Sequence, residues 1–178
     1  MLAFFVFEPS VMKPLLALFL VLLCNLSPPA YATSVLNGRV IHIADGDTLT
    51  LIDADYQRIK VRLAEIDSPE KAQPYGHRAK QLLVSLALKK TVEVTVIDID
   101  QYGRIVGQVR ADGVDINAEM VRQGAAWVYR RHLKRPALLL DEQAARRQAL
   151  GLWALPEQER MPPWQWRHTQ RQSKARAE

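Results

Sequence analysis

Along this 178-residue chain, apolar and polar positions alternate with a period of two in several short segments and recur at helical spacing in others. Val35 to Ile43, rich in Val and Ile, predicts a first strand, closed by the turn Ala44-Asp45-Gly46-Asp47. Leu49 and Leu51 alternate with Thr48, Thr50 and Ile52 as a second strand. Ile59, Val61 and Leu63 alternate with Arg58, Lys60 and Arg62 as a third, with one buried and one wet face. Pro69 disfavours helix at Ser68 and lacks a donor, so the chain turns there and carries Asp67 and Glu70 on the turn. Ala79, Leu82, Leu83 and Leu86 then mark an amphipathic helix. Val92, Val94 and Val96 mark a fourth strand, and Ile105 to Val109 a fifth. Asn117 is placed to cap a short helix through Gln123, stopped by Gly124, and Leu138 to Ala149 predicts a further helix closed by Gly151. Successive strands with a helix after the third and two more at the end predict an α+β fold, a five-stranded OB-fold β-barrel with about three packed helices.

The apolar pattern at the N-terminus is of another kind. Leu15 to Cys24 is an unbroken apolar run, preceded by Met12-Lys13 and followed by the small-x-small triplet Ala30-Tyr31-Ala32. Residues 1–32 therefore read as a secretory signal peptide, with Met12 a possible true start, and the mature protein is expected to be periplasmic or secreted, without a stable membrane anchor. Cys24 is the single cysteine, so the mature chain has no disulfide and its core must hold it alone.

The net charge of +5 is unevenly spread. Residues 33–129 carry 12 Lys and Arg against 13 Asp and Glu, whereas residues 130–178 carry 11 against 5. The OB-fold domain of the mature chain is expected over residues 33–157, followed by a basic tail, 158–178, that contains Trp164 and Trp166. Tryptophans there read as pins onto the core, with a polar, disordered tail beyond Arg167. A basic exported protein is drawn to polyanions, among which charge alone does not choose.

Three charged loops carry the candidate chemistry: Asp45 to Thr48, Asp67 to Glu70 and Asp100 to Arg104. Singly each has a bland reading, as good turn formers or a solvated salt-bridge cluster. Brought to one end of a barrel, they would supply what phosphodiester hydrolysis requires. Asp47 and Asp67 offer hard oxygens for a metal, Glu70 could orient or deprotonate water, and Arg62 and Arg104 could fork onto the phosphate.

The runs Asp45-Gly46-Asp47-Thr48, Val61-Arg62-Leu63, Asp67-Ser68-Pro69-Glu70, Gln73-Pro74-Tyr75-Gly76, Asp100 to Arg104 and Val121-Arg122-Gln123-Gly124 closely resemble the thermonuclease, or staphylococcal nuclease-like, family. The resemblance spans roughly Val35 to Trp153. It implies an OB-fold barrel with three helices and a calcium-dependent endonuclease acting on DNA and RNA. By the same resemblance, Arg62, Glu70 and Arg104 look like the catalytic three, and Asp47, Asp67 and the backbone carbonyl of Ser68 look like the Ca2+ ligands, with Asp45 nearby. Tyr102 and Tyr129 resemble substrate-contacting tyrosines. Ser68 and Gln101 depart from the family's threonine and lysine, which bears on substrate affinity more than on chemistry. The protein is expected to act as a monomer. The competing readings are a nucleic-acid-binding OB module that does not cut, and a basic peripheral binder of wall or membrane.

Overall fold

The computed structural model describes residues 34–177, so the signal-peptide segment lies outside the described residues. Five long strands form the barrel: β1 (Val35–Ile43), β2 (Thr48–Ile52), β3 (Arg58–Leu63), β5 (Thr91–Ile99) and β6 (Ile105–Ala111). They lie in the order β3-β2-β1-β5-β6, and a parallel pairing of β3 with β6 closes the sheet on itself. The closure is the OB-fold barrel that the alternating pattern predicts. Three two-residue strands complete the set: β4 (Ile66–Asp67) pairs with β8 (Trp127–Val128), and β7 (Val114–Asp115) extends β6.

The apolar alternates fill the barrel. Val40, Leu49, Leu51, Val61, Leu63, Val92, Val94 and Val109 are all buried, and each such side chain contributes roughly 1.5–3 kcal/mol relative to an exposed one. Helices α1 (Gly76–Ala87) and α2 (Ile116–Arg122) cover this core through Ala79, Leu83, Ile116, Met120 and Val121. Helix α3 (Ala137–Arg147) adds Leu138. Gly124 and Gly151 both have positive φ, and a Cβ on either would strike the other's segment, Gly124 against the Leu150 carbonyl and Gly151 against that of Gly124. Glycine at both points lets the chain after α3 dock on the end of α2, with Leu152 donating its N–H to the Gly124 carbonyl at 2.8 Å.

Two expectations are corrected. Asn117 does not cap α2; Asp115 does, accepting from the Ala118 N–H at 2.9 Å. Asn117 is instead fully buried, accepting from the Val109 N–H at 2.9 Å and donating to the carbonyls of Ala64 and Gly107 at 2.9 and 3.2 Å. It satisfies backbone groups where β6 meets the segment after β3. The tail beyond Arg167, expected to be disordered, is helical: a fourth helix, α4, spans Pro163–Ala177. Trp164 pins it as expected, packing edge-on to Trp127 with centroids 5.9 Å apart and against Tyr129 at 5.6 Å. Arg146, which the helix dipole would explain, also lies 3.9 Å over the Trp153 ring and 5.0 Å over Trp127, a cation–π stack beneath the pin.

One buried carboxylate ties the barrel to the segment before α3. Glu65, in the left-handed region with φ 67°, accepts from the backbone N–H groups of Lys134 and Arg135, both at 2.7 Å, and from the Arg135 guanidinium at 2.5 Å. Burial opposes its charge, but these donors outweigh burial and hold its pKa below the ordinary value. Glu65→Ala leaves the backbone N–H groups of Lys134 and Arg135 without their acceptor and the Arg135 guanidinium with Asp115 as its remaining carboxylate partner. The expected loss is about 3 kcal/mol in urea unfolding. A loss below about 1 kcal/mol would show that Glu65 is a solvated surface group in effect.

Candidate functional site

The site is built on the opposed residues Thr48 and Arg62 of β2 and β3, a register pair with the Leu63 N–H donating to the Asp47 carbonyl at 2.8 Å. Asp47 is held from several sides. Its N–H donates to Asp45 Oδ1 at 3.1 Å, its Oδ1 accepts from Thr48 Oγ1 at 3.0 Å, and its Oδ2 accepts from the Ser68 N–H at 3.1 Å. Ser68 Oγ in turn donates to the Gly46 carbonyl at 2.9 Å, so the two carboxylate-bearing turns are bonded to each other. Arg62 spans them: Nη1 donates to the Ile66 and Leu63 carbonyls at 3.0 and 3.3 Å, while Nη2 lies 3.0 Å from Asp67 Oδ1 and 3.5 Å from Asp47 Oδ2.

Arg104 approaches from the β5–β6 loop. Asp100 Oδ1 accepts the N–H groups of Tyr102 and Arg104 at 2.9 and 3.0 Å, and its Oδ2 accepts Arg104 Nε at 2.7 Å. This aims the terminal nitrogens into the cleft, with Nη1 3.5 Å from Thr48 Oγ1. The donors outweigh desolvation and hold Asp100 below the usual carboxylate range. Tyr102 is exposed and lies under the Arg104 guanidinium at 5.4 Å. Glu70 sits on the turn after Asp67, its backbone N–H bonded to Gln73 Oε1 at 3.1 Å and its carboxylate about one-third exposed, 36%. Tyr129 stands on the facing wall, stacked on Trp164 and 5.1 Å from His132.

All eight residues singled out in the sequence line one polar cleft of about 660 Å³: Asp47, Arg62, Asp67, Ser68, Glu70, Tyr102, Arg104 and Tyr129. A second cavity of about 390 Å³ shares Arg62 and Arg104 and continues toward Lys134.

Sequence reasoning missed two members. Asp100 entered only as the start of a loop, although its role in aiming Arg104 has a sequence signal, an aspartate four residues before the arginine in a glycine-containing turn. Arg167 had none beyond the charge excess of the last third. It reaches in from α4 and forks between two carboxylates, Nη2 at 2.7 Å from Asp67 Oδ2, Nη1 at 2.7 Å from Glu70 Oε1 and 3.2 Å from Asp67 Oδ1. The wholly buried Asp67 thus has both oxygens engaged, by Arg62 and Arg167.

Carboxylates crowd this floor. Burial, reinforced by the charge of Asp47, pushes the Asp45 carboxyl up to about 6. Burial also leaves Asp67 raised despite its guanidinium partners. Burial alone would lower the Arg62 pKa, yet Asp47 and Asp67 outweigh it, and Arg167 is raised likewise by Asp67 and Glu70. Among the described residues, no three His, Cys, Asp or Glu side chains close on a common point as a ready-made metal cluster; guanidinium groups stand between the carboxylates. As chemistry, the carboxylates of Asp47 and Asp67, with Asp45 nearby, are hard oxygen donors and suit a hard divalent cation.

Residues 60–155 match the model of the family described as Staphylococcal nuclease homologue. A protein of Escherichia coli named "Uncharacterized endonuclease" is 45% identical over 134 residues, 75% of this chain and 86% of that protein. The "Micrococcal nuclease" of Shigella flexneri is 42% identical over 152 residues, covering 79% of this chain and 84% of its own length. The "Probable staphylococcal-like nuclease CAN1" of Oryza sativa subsp. japonica is 36% identical over 145 residues, 74% of this chain and 43% of that protein. With the barrel, the loop motifs and these matches together, the chain belongs to the staphylococcal nuclease homologue family.

Proposed function

We propose that this protein is an exported, calcium-dependent endonuclease that hydrolyses phosphodiester bonds in DNA and RNA. The observation that carries the reading is the convergence of Arg62, Arg104 and Glu70 on one cleft floored by Asp47 and Asp67. The nuclease names of its relatives support it from a separate direction.

Asp47, Asp67 and the Ser68 carbonyl would hold the cation. When bound, calcium would supply positive charge to a non-bridging phosphoryl oxygen. The chain's own groups do the rest. Arg62 and Arg104 are donors with no acceptor and a fixed charge, so they bind the phosphate oxygens and stabilise negative charge as it builds up. Arg104 is held through Nε by Asp100, which leaves its terminal nitrogens facing the cleft, and Arg62 is held through Nη1 by the Ile66 carbonyl with Nη2 against Asp67 on the cleft floor. That geometry loses little on binding because it is already formed. Glu70 is the acceptor: its partly exposed carboxylate can orient a water and take its proton. Tyr102, exposed beside Arg104, and Tyr129 offer ring faces to neighbouring bases.

Substitutions separate these roles. Arg62→Lys, Arg104→Lys and Glu70→Gln are expected to cut turnover by about 100-fold or more while calcium still binds, because lysine keeps the charge but loses the fork and glutamine cannot accept the proton. Asp67→Ala removes a cation ligand, so activity and calcium affinity should fall together, with partial recovery at excess calcium. Calcium titrations of nuclease activity on plain DNA and RNA, with circular dichroism as folding control, test all four. Near-parent turnover of Glu70→Gln at saturating calcium would refute the role given to Glu70.

Export is tested by mass. Ala30-Tyr31-Ala32 directly follows the apolar run and its short polar sequel, so the exported protein is expected to begin at Thr33. An intact mass retaining Met1 or Met12 would overturn this.

A further inference from the structure

We infer that Arg167 is a built-in competitor of the metal: helix α4 seats its guanidinium on Asp67 and Glu70, and a divalent cation must displace it to occupy the site. The inference rests on the metal-dependent reading above and concerns a part of the chain that lies beyond the residues matching the family, 60–155.

The first support is occupancy. Asp67 Oδ2 receives Arg167 Nη2 at 2.7 Å, and Asp67 Oδ1 receives both Arg62 Nη2 at 3.0 Å and Arg167 Nη1 at 3.2 Å. Calcium sits about 2.3–2.6 Å from a carboxylate oxygen. A cation taking Asp67 as ligand therefore approaches within the shell that these nitrogens fill, and meets their positive charge at close range. Arg167 also donates to Glu70 Oε1 at 2.7 Å, so the same fork occupies an oxygen of the group assigned as proton acceptor.

The second support is how lightly α4 is held elsewhere. From His168 to Arg176 every residue of the helix is exposed, and its contacts with the body are confined to its first turns, where Pro163 is buried and Trp164, Trp166 and Arg167 are half-buried. A segment with few buried contacts opens at a small fraction of the global unfolding free energy. Pro162 precedes the helix and Pro163 opens it, and the Met161 carbonyl accepts from Gln73, so release has a fixed pivot.

The third support is charge. Residues 163–177 carry Arg167, Arg171, Lys174 and Arg176 and no acidic side chain. Such an arm belongs on the carboxylate floor when no other cation is there, and is repelled once one arrives.

The experiment compares the unaltered protein with Arg167→Gln, and with Trp164→Ala as a second route to a loosened helix with Arg167 retained. Calcium affinity is read by isothermal titration calorimetry without substrate. Hydrogen exchange of residues 163–171 is followed with and without calcium, and circular dichroism monitors folding. Arg167→Gln is expected to bind calcium about tenfold tighter or more, Trp164→Ala to shift the same way by less, and saturating calcium to speed exchange in α4 of the unaltered protein. Equal or weaker affinity in Arg167→Gln, or α4 exchange indifferent to calcium, overturns the inference. If affinities are equal while the protein cuts DNA with calcium, only the inference falls. If none of the three proteins binds calcium, the calcium reading falls with it.

Discussion

Asp67 is the constraint around which the cleft is arranged, because a carboxylate with no exposed surface stands in a cleft beside Asp47 and must be met by cations and donors. Burying a charge without a partner costs several kcal/mol, and here the partners come from opposite ends of the sequence, Arg62 from the barrel and Arg167 from the last helix. Asp47 is stabilised instead by donors local to the two turns, Thr48 Oγ1 and the Ser68 N–H. The result is a floor of fixed negative charge with fixed positive charge at its rim. Under the proposed function, that combination is what a site for a hard cation beside a phosphate needs.

The barrel makes the arrangement possible by its closure. The parallel pairing of Val61, Arg62 and Leu63 with Ile105, Val106 and Gly107 brings the start of β6, and so Arg104, beside Arg62. The antiparallel register of β2 and β3 sets Thr48 opposite Arg62 and so places Asp47 alongside. The short β4–β8 pair does the same for the far wall, with Asp67 opposite Trp127 and the Tyr129 N–H bonded to the Glu65 carbonyl at 2.8 Å. A register slip of one residue in β3 would turn Arg62 into the core and Val61 into the cleft, so the hydrophobic alternation that fills the barrel also aims the chemistry.

That coupling explains what was legible in the sequence. The five long strands follow from period-two alternation, and Asp47, Asp67, Glu70 and Arg104 fall at strand ends and turns, where local rules hold. What escaped is long-range satisfaction of buried polar groups. Asn117 was read as a cap because the residue type suits one, but Asp115 takes that place and Asn117 serves backbone groups 8 to 53 residues away. Glu65 finds its donors at Lys134 and Arg135, roughly 70 residues on, and Asp67 finds Arg167 at 100 residues' separation. No periodicity encodes such pairs. The helical tail escaped for a related reason: α4 is polar along most of its length, so an amphipathic signal is weak, and its docking depends on Trp164 finding Trp127 and Tyr129.

The relative strengths of these contacts bear on how the tail and the floor can coexist. Burying part of Trp164 contributes on the order of 1.5–3 kcal/mol, and a charge-assisted fork whose guanidinium is 37% exposed adds about 1–2 kcal/mol after solvent screening. A divalent cation bound with millimolar affinity supplies about 4 kcal/mol. These magnitudes are comparable, so neither contact dominates at all cation concentrations. Arg62 differs: anchored through Nη1 to the Leu63 and Ile66 carbonyls and carried on a central barrel strand, it stays in place whichever partner the carboxylates take. The two arginines that touch Asp67 thus have unequal freedom, one fixed on a central barrel strand and one carried on a last helix that is exposed from His168 onward.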